Sequence, residues 1–260
     1  MPQVILAPDT LDDANRRFEQ TPLRQPVFLN SVPKSGSHLL RNIVRMFVPV
    51  EQQYDAQFIQ WANLQEHRQA FDPARNMLSW GHLFFGDASV IELSATRKIL
   101  LVRDPHDWVL ARARFFLSDA FRGNVDHLRS GKLTVDALLN LMIVGIHQKA
   151  PALLDVYLNN AAAWVGTDTH IVKYEDVVAN LKQLDTPQGE AFFTGLLGAC
   201  GIAMPDDWRE RVRIGSDKEQ SGTAREKLGV EVELPDELPD AQKRLVEVVA
   251  PGIRALLGYA

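Results

Sequence analysis

Apolar residues along this chain follow two different periods. Short continuous runs, first Val27-Phe28-Leu29-Asn30 and then residues 77–80, 98–102 and 170–173, have the length and composition of buried strands. Between and after them, apolar positions recur every three to four residues. On that pattern residues 57–71, 106–121, 134–148 and 151–164 read as helices, and so do 176–184, 187–200 and 240–257. The clearest case follows the first strand. There Leu39, Leu40, Ile43, Val44 and Phe47 share one face, while Arg41, Asn42 and Arg45 share the other. Strands alternating with helices predict an α/β fold, a mainly parallel central sheet flanked by helices, with a helical C-terminal part. Pro22, Pro26 and Pro33 break the early chain, so residues 1–25 are expected to be an extension of a single domain spanning 1–260. Residues 214–229 are polar, charged and glycine-containing, and are expected to form a mobile loop that closes over a ligand.

Composition narrows the functional classes. A length of 260 residues and 46% hydrophobic content suit one sizeable core. The net charge of -5 argues against a nucleic-acid partner, so any anion site must be local. Cys200 is the only cysteine, which fits a reducing compartment and supports neither a disulfide nor a cysteine metal cluster. The N-terminal twenty residues have no basic start followed by an apolar run, and the most apolar stretch, 138–146, is short and holds Asn140. A cytoplasmic protein with no membrane partner is expected.

Three constellations carry candidate chemistry. Pro33-Lys34-Ser35-Gly36-Ser37-His38 lies where a strand ends and a helix begins. The first-turn amides of such a helix point into the loop and favour an anion, Gly36 lets backbone approach closely, and Lys34 adds charge. A plain turn with a capping serine fits the same residues. This is no Walker A loop, since G-x-x-x-x-G-K-[ST] is absent. The second, residues 98–107, is an apolar strand that delivers Arg103 at its carboxyl end and then turns at Asp104-Pro105. Arg103 is placed to grip a phosphate or, alternatively, to pair with Asp104 or Asp107. The third, Ile171-Val172-Lys173-Tyr174-Glu175-Asp176, presents Tyr174 on the same edge, to stack on a base or to pack in the core.

The order of these motifs, PKSGS, LVRDP and KYED after successive strands, resembles that of the PAPS-dependent sulfotransferases of the soluble, small-molecule type (PAPS being 3′-phosphoadenosine 5′-phosphosulfate). The resemblance runs from about residue 27 to 176, with a fainter echo up to 229, and implies a P-loop-like sheet. It implies that Lys34, Ser35, Gly36, Ser37 and His38 bind the 5′-phosphosulfate. It further assigns Arg103 to the 3′-phosphate and Tyr174 to the adenine, with Arg225 and Lys227 as further 3′-phosphate ligands. The sequence departs from the family at two places: the serine expected eight residues after the arginine is Ala111, and the aromatic expected after the loop is Leu39. Arg112 and Arg114 lie close to the first of these.

The resemblance also places a catalytic histidine at His82, within Ser79-Trp80-Gly81-His82-Leu83. A hydroxyl acceptor must lose its proton in the transition state, and imidazole is suited to take it. A structural histidine bonded to a carbonyl is the competing reading, and His38 is the next candidate base. The expected reaction is in-line sulfuryl transfer from PAPS to a small-molecule hydroxyl, with His82 and Lys34 catalytic and no metal required. Phe84, Phe85, Phe115, Phe116 and Phe121 are placed either to line the acceptor cleft or to fill the core. A P-loop-type phosphotransferase (kinase) and a non-catalytic nucleotide-binding protein are the alternatives.

Overall fold

The computed structural model describes residues 3–4, 8–54, 58–123, 125–222 and 232–259. A short antiparallel pair joins β1 (Gln3–Val4) to β6 (Phe121–Arg122). The main sheet contains β2 (Val27–Ser31), β3 (Ile59–Gln60), β4 (Leu78–His82), β5 (Arg97–Val102) and β7 (His170–Lys173). Its order is β3-β4-β2-β5-β7 and every pairing is parallel. The chain therefore passes from β4 to β5 over the central strand β2. All five carboxyl ends lie on one edge, and the crevice beside β2 is where such sheets receive ligands.

Alternation along the strands divides the core in two. Val27 and Leu29 of β2 face one layer with Ile99 and Leu101 of β5, and Phe28, Leu100 and Val102 face the other. The first layer is covered by α1 (Leu11–Asn15), α2 (Ser37–Arg45), α7 (Tyr174–Leu181), α8 (Pro187–Ala199) and α9 (Trp208–Ser216). The second is covered by α4 (Pro105–Leu117), α5 (Val135–Val144), α6 (Leu153–Asn160), α10 (Asp240–Val249) and α11 (Ile253–Leu256), with the short α3 (Asp87–Glu92) and its neighbour Leu93 at the margin.

The sequence expectation differs from this structure at identifiable places. Residues 57–71 were expected as one α-helix; Ile59 and Gln60 instead pair with β4, and Trp61–Phe71 forms 3-10 turns interrupted at His67, where φ is -114°. The helix expected over 240–257 is two, because Pro251 cannot continue the backbone ladder and Gly252 takes φ 77°. Of the residues 214–229 expected as a loop, Ile214 to Ser216 are the last turn of a helix that the pattern concealed, Lys218–Gln220 is a 3-10 turn, and 223–229 lie outside the described residues. In α9 the buried positions are Trp208, Arg211, Val212 and Gly215, a helical spacing in which one core place is an arginine. Arg211 is satisfied there by Asp207 and by the carbonyls of Glu19 and Met46. Gly215 lets α9 meet α2, since a Cβ there would lie 2.5 Å from the Asn42 carbonyl. No described helix is long and apolar enough to cross a membrane.

Candidate active site

The first loop leaves β2 and enters α2 through two left-handed residues, Lys34 (φ 67°) and Gly36 (φ 94°). Glycine is required at the second: a Cβ would lie 2.5 Å from the Tyr174 ring. No described side chain caps α2, and its first-turn amides face the loop as donors. The Ser35 hydroxyl is buried and has no hydrogen-bond partner among the described residues. The Lys34 ammonium lies 3.2 Å from the centre of the Phe115 ring.

Arg103 and Tyr174 converge on the same loop. The Arg103 guanidinium stacks 4.6 Å over the Tyr174 ring, and Nη1 donates to the Lys34 carbonyl at 3.5 Å. Its Nε is buried without a partner among the described residues. Neither neighbouring aspartate neutralises it among the described residues. Asp104 instead caps α4 through the His106 amide and accepts two hydrogen bonds from Arg254, at 3.0 and 2.9 Å. The Arg103 carbonyl is fixed by the Tyr157 hydroxyl at 2.9 Å. Glu175 accepts from the Asp104 amide and from the Tyr259 hydroxyl, at 3.0 and 2.9 Å. The C-terminal segment thus ties the ends of β5 and β7 together. Unpaired donors on Arg103, Ser35 and the α2 terminus are what a phosphate-bearing ligand would satisfy.

His82 ends β4 beside Ser31, the last residue of β2. Its Nδ1 lies 2.8 Å from the Ser31 carbonyl oxygen and 3.0 Å from the Ser31 hydroxyl, which is 2.8 Å from the Ser37 hydroxyl. Gly81 is needed just before it, because a Cβ there would lie 1.9 Å from the Ile59 carbonyl oxygen of β3. Burial pulls the His82 imidazole down to about 3, and Lys34 and His38 push the same way against the Ser31 carbonyl. The ring is therefore neutral at pH 7. His38 packs edge-on to Trp80, and burial with Arg41 and Lys34 lowers it to about 4.

Other expected residues fall elsewhere. Arg112 turns into the core, where it donates to the carbonyls of Met142 and Pro151, and burial lowers it to about 10. Arg114 reaches the Pro235 carbonyl at 3.4 Å. Phe115, Phe116 and Phe121 are buried and pack on one another with ring centres 5.0–5.8 Å apart, whereas Phe84 and Phe85 are partly exposed. Arg225 and Lys227 lie outside the described residues. Ser31 and Asn160 were missed. The available signal was a hydroxyl extending an otherwise buried strand past Asn30, all five of whose positions are buried.

Structural comparison bears on the fold. A mouse sulfotransferase, SULT7A1, complexed with PAP superposes with a TM-score of 0.57 at 15% identity, over 96% of this chain and 94% of that one. Retinol dehydratase in complex with androsterone and inactive cofactor PAP gives a TM-score of 0.55 at 12% identity, over 90% and 82%. The chain has the sulfotransferase fold. At these identities the likeness concerns the arrangement of strands and helices, and no family model and no curated protein matches the sequence. Within the sulfotransferase fold of this chain, the loop, Arg103, Tyr174 and His82 all gather at the carboxyl edge of β2, β4, β5 and β7.

Proposed function

We propose that the protein transfers a sulfuryl group from PAPS to a hydroxyl of a small-molecule acceptor. The observation that carries this reading is the joining of two parts: a donor-rich loop under an uncapped helix terminus, and a neutral histidine linked to that loop through Ser31 and Ser37. Solved structures of the same fold hold PAP, and two of them also hold androsterone or retinol.

On this reading Lys34, Ser35, Gly36, Ser37 and His38 receive the phosphosulfate, Arg103 the 3′-phosphate, and Tyr174 flanks the nucleotide. The acceptor oxygen attacks sulfur as the bond from sulfur to the bridging phosphate oxygen breaks. The acceptor proton passes to Nε2 of His82, and the bonding electrons remain on the phosphate. Lys34 and the α2 amides stabilise the charge that grows there. Arg225 and Lys227 are proposed as further phosphate ligands, by the sequence resemblance alone.

The test is transfer of labelled sulfate from PAPS to a panel of alcohols and phenols in the presence of a chelator. Sulfated product together with adenosine 3′,5′-bisphosphate is expected. Phosphate transfer from ATP requiring Mg²⁺ would replace this reading with a phosphotransferase, and donor binding without turnover across the panel would leave a binding protein.

A further inference from the structure

Ser31 belongs to none of the motifs, yet it meets both halves of the site. It is 1% exposed at the end of β2. A carbonyl oxygen only accepts, so the 2.8 Å contact to the Ser31 carbonyl puts the ring proton on Nδ1 of His82 and the lone pair on Nε2. The backbone on both sides is pinned as well. Asn160 donates to the Ser31 and Leu83 carbonyls at 3.3 and 3.4 Å, and the Asn30 amide bonds both the N–H and the carbonyl of Leu83, at 2.8 and 3.0 Å. These contacts leave the His82 ring little freedom to turn.

We infer that Ser31 is a positioning residue for His82, and that its hydroxyl couples occupancy of the donor loop to the proton affinity of the imidazole. The inference rests on the proposed donor site. The Ser31 hydroxyl has one proton to give, and Ser37 at 2.8 Å is a nearer acceptor than the Gly81 carbonyl at 3.3 Å. When an anion in the loop takes the Ser37 proton in a hydrogen bond, the chain aligns in one direction: Nδ1–H, shared between the Ser31 carbonyl at 2.8 Å and Ser31 Oγ at 3.0 Å, then Ser31 O–H to Ser37 Oγ, then Ser37 O–H to the anion. Each bond in such a chain polarises the next, so electron density rises on the imidazole and Nε2 becomes more basic. The charges around the ring oppose this in the free protein. Lys34 precedes α2 and Arg41 lies on it; burial is the first cause that holds His82 low, and Lys34 pushes the same way against the backbone hydrogen bonds at Ser31 and Gly81. Among the described residues on the flank of β3, the Phe58 ring packs edge-on to the imidazole, at 4.6 Å between centres. A base that strengthens only when the donor is bound is spared protonation before it is needed.

Nitrogen NMR of the full chain carrying ¹⁵N-histidine reads this directly, with adenosine 3′,5′-bisphosphate as the probe. The expected spectrum for His82 is Nδ1–H with a bare Nε2, and the nucleotide should raise its pKa. In Ser31→Ala that rise should shrink by about half or more, with nucleotide affinity within about twofold of wild type and kcat about tenfold lower. Ser31→Thr, which keeps the hydroxyl, should recover much of both. Should Ser31→Ala fail to fold, Ser37→Ala cuts the same chain from its other end and should also blunt the rise. A folded variant whose His82 responds as in wild type overturns the coupling. Absence of nucleotide binding to the wild-type protein overturns the donor-site reading instead, and the two failures are thereby distinct.

Discussion

The two sides of the carboxyl edge solve different problems. On the β4–β2 side, His82, Ser31 and Ser37 form a short chain of hydrogen bonds between neighbouring parallel strands and the loop, and the imidazole is held neutral. On the β5–β7 side the groups are charged and their order comes from far along the sequence. Arg254 occupies the Asp104 carboxylate, and Glu175 is shared between the Asp104 amide and Tyr259. Among the described residues, Arg103 is left with a buried, unpartnered Nε and a tyrosine face instead of a carboxylate. A cation near the imidazole lowers its proton affinity further, as Lys34 already does. The central strand β2 stands between His82 and Arg103.

Removing the key group from each side should therefore give opposite phenotypes. His82→Ala is expected to lower turnover by roughly 10²–10⁴ while leaving nucleotide affinity nearly intact. Steady-state kinetics and calorimetry on the same folded protein check both halves. The pH dependence sharpens the test. A base depressed to about 3 is lost only as pH falls through that value, so kcat/KM for the donor, which reports the free protein, should show no acid limb near 6.5 from this group. A limb centred at the ordinary histidine pKa that disappears in His82→Ala would contradict the neutral, half-buried ring. Arg103→Ala should do the reverse. It should cost about 1.5–3 kcal/mol in binding of adenosine 3′,5′-bisphosphate, the scale of one charged hydrogen bond, and little for AMP. Calorimetric titration with both nucleotides decides it, and an equal loss for the two would move the 3′-phosphate contact elsewhere.

Much of this arrangement was legible in the sequence. The strands holding Val27, Ile99 and Val172 are short apolar runs bounded by proline or polar residues, which is the signal a buried parallel sheet leaves. Lys34, Arg103, Tyr174 and His82 stood at strand ends, where side chains meet ligands. What stayed hidden was long-range and polar. Arg211 broke the apolar stripe of α9 because its charge is buried by pairing with Asp207. Arg112 lies next to Ala111, and only its position on α4 shows that it turns to the carbonyls of Met142 and Pro151. Asn160 and Tyr259 reach the site from segments with no motif of their own, and only the folded chain brings them to Ser31 and Glu175.

The smallest expected effect tests whether the C-terminal tie matters to Arg103 at all. The Tyr259 hydroxyl donates to Glu175 at 2.9 Å, and burial beside that carboxylate raises its pKa, so it remains a donor throughout the usable pH range. Lys173 holds the same segment from the other side, with its ammonium 4.8 Å over the Tyr259 ring and 2.5 Å from the Gly258 carbonyl oxygen. Tyr259→Phe keeps the ring and this second anchor and deletes one hydrogen bond to a carboxylate. The expected cost is about 1 kcal/mol of stability, seen as a Tm lower by about 2–4 °C in a chain of this size. Glu175 would still accept from the Asp104 amide, so the turn after Arg103 should loosen without collapsing. Affinity for adenosine 3′,5′-bisphosphate should accordingly fall by no more than about threefold, since only part of one bond's energy reaches the guanidinium, with AMP binding unchanged. Calorimetry on Tyr259→Phe beside Arg103→Ala and the double variant reads the coupling. If the Tyr259→Phe loss persists undiminished when Arg103 is already alanine, the tie stabilises the fold without positioning the arginine, and the contrast between the two sides of the edge rests on Arg103 and Tyr174 alone.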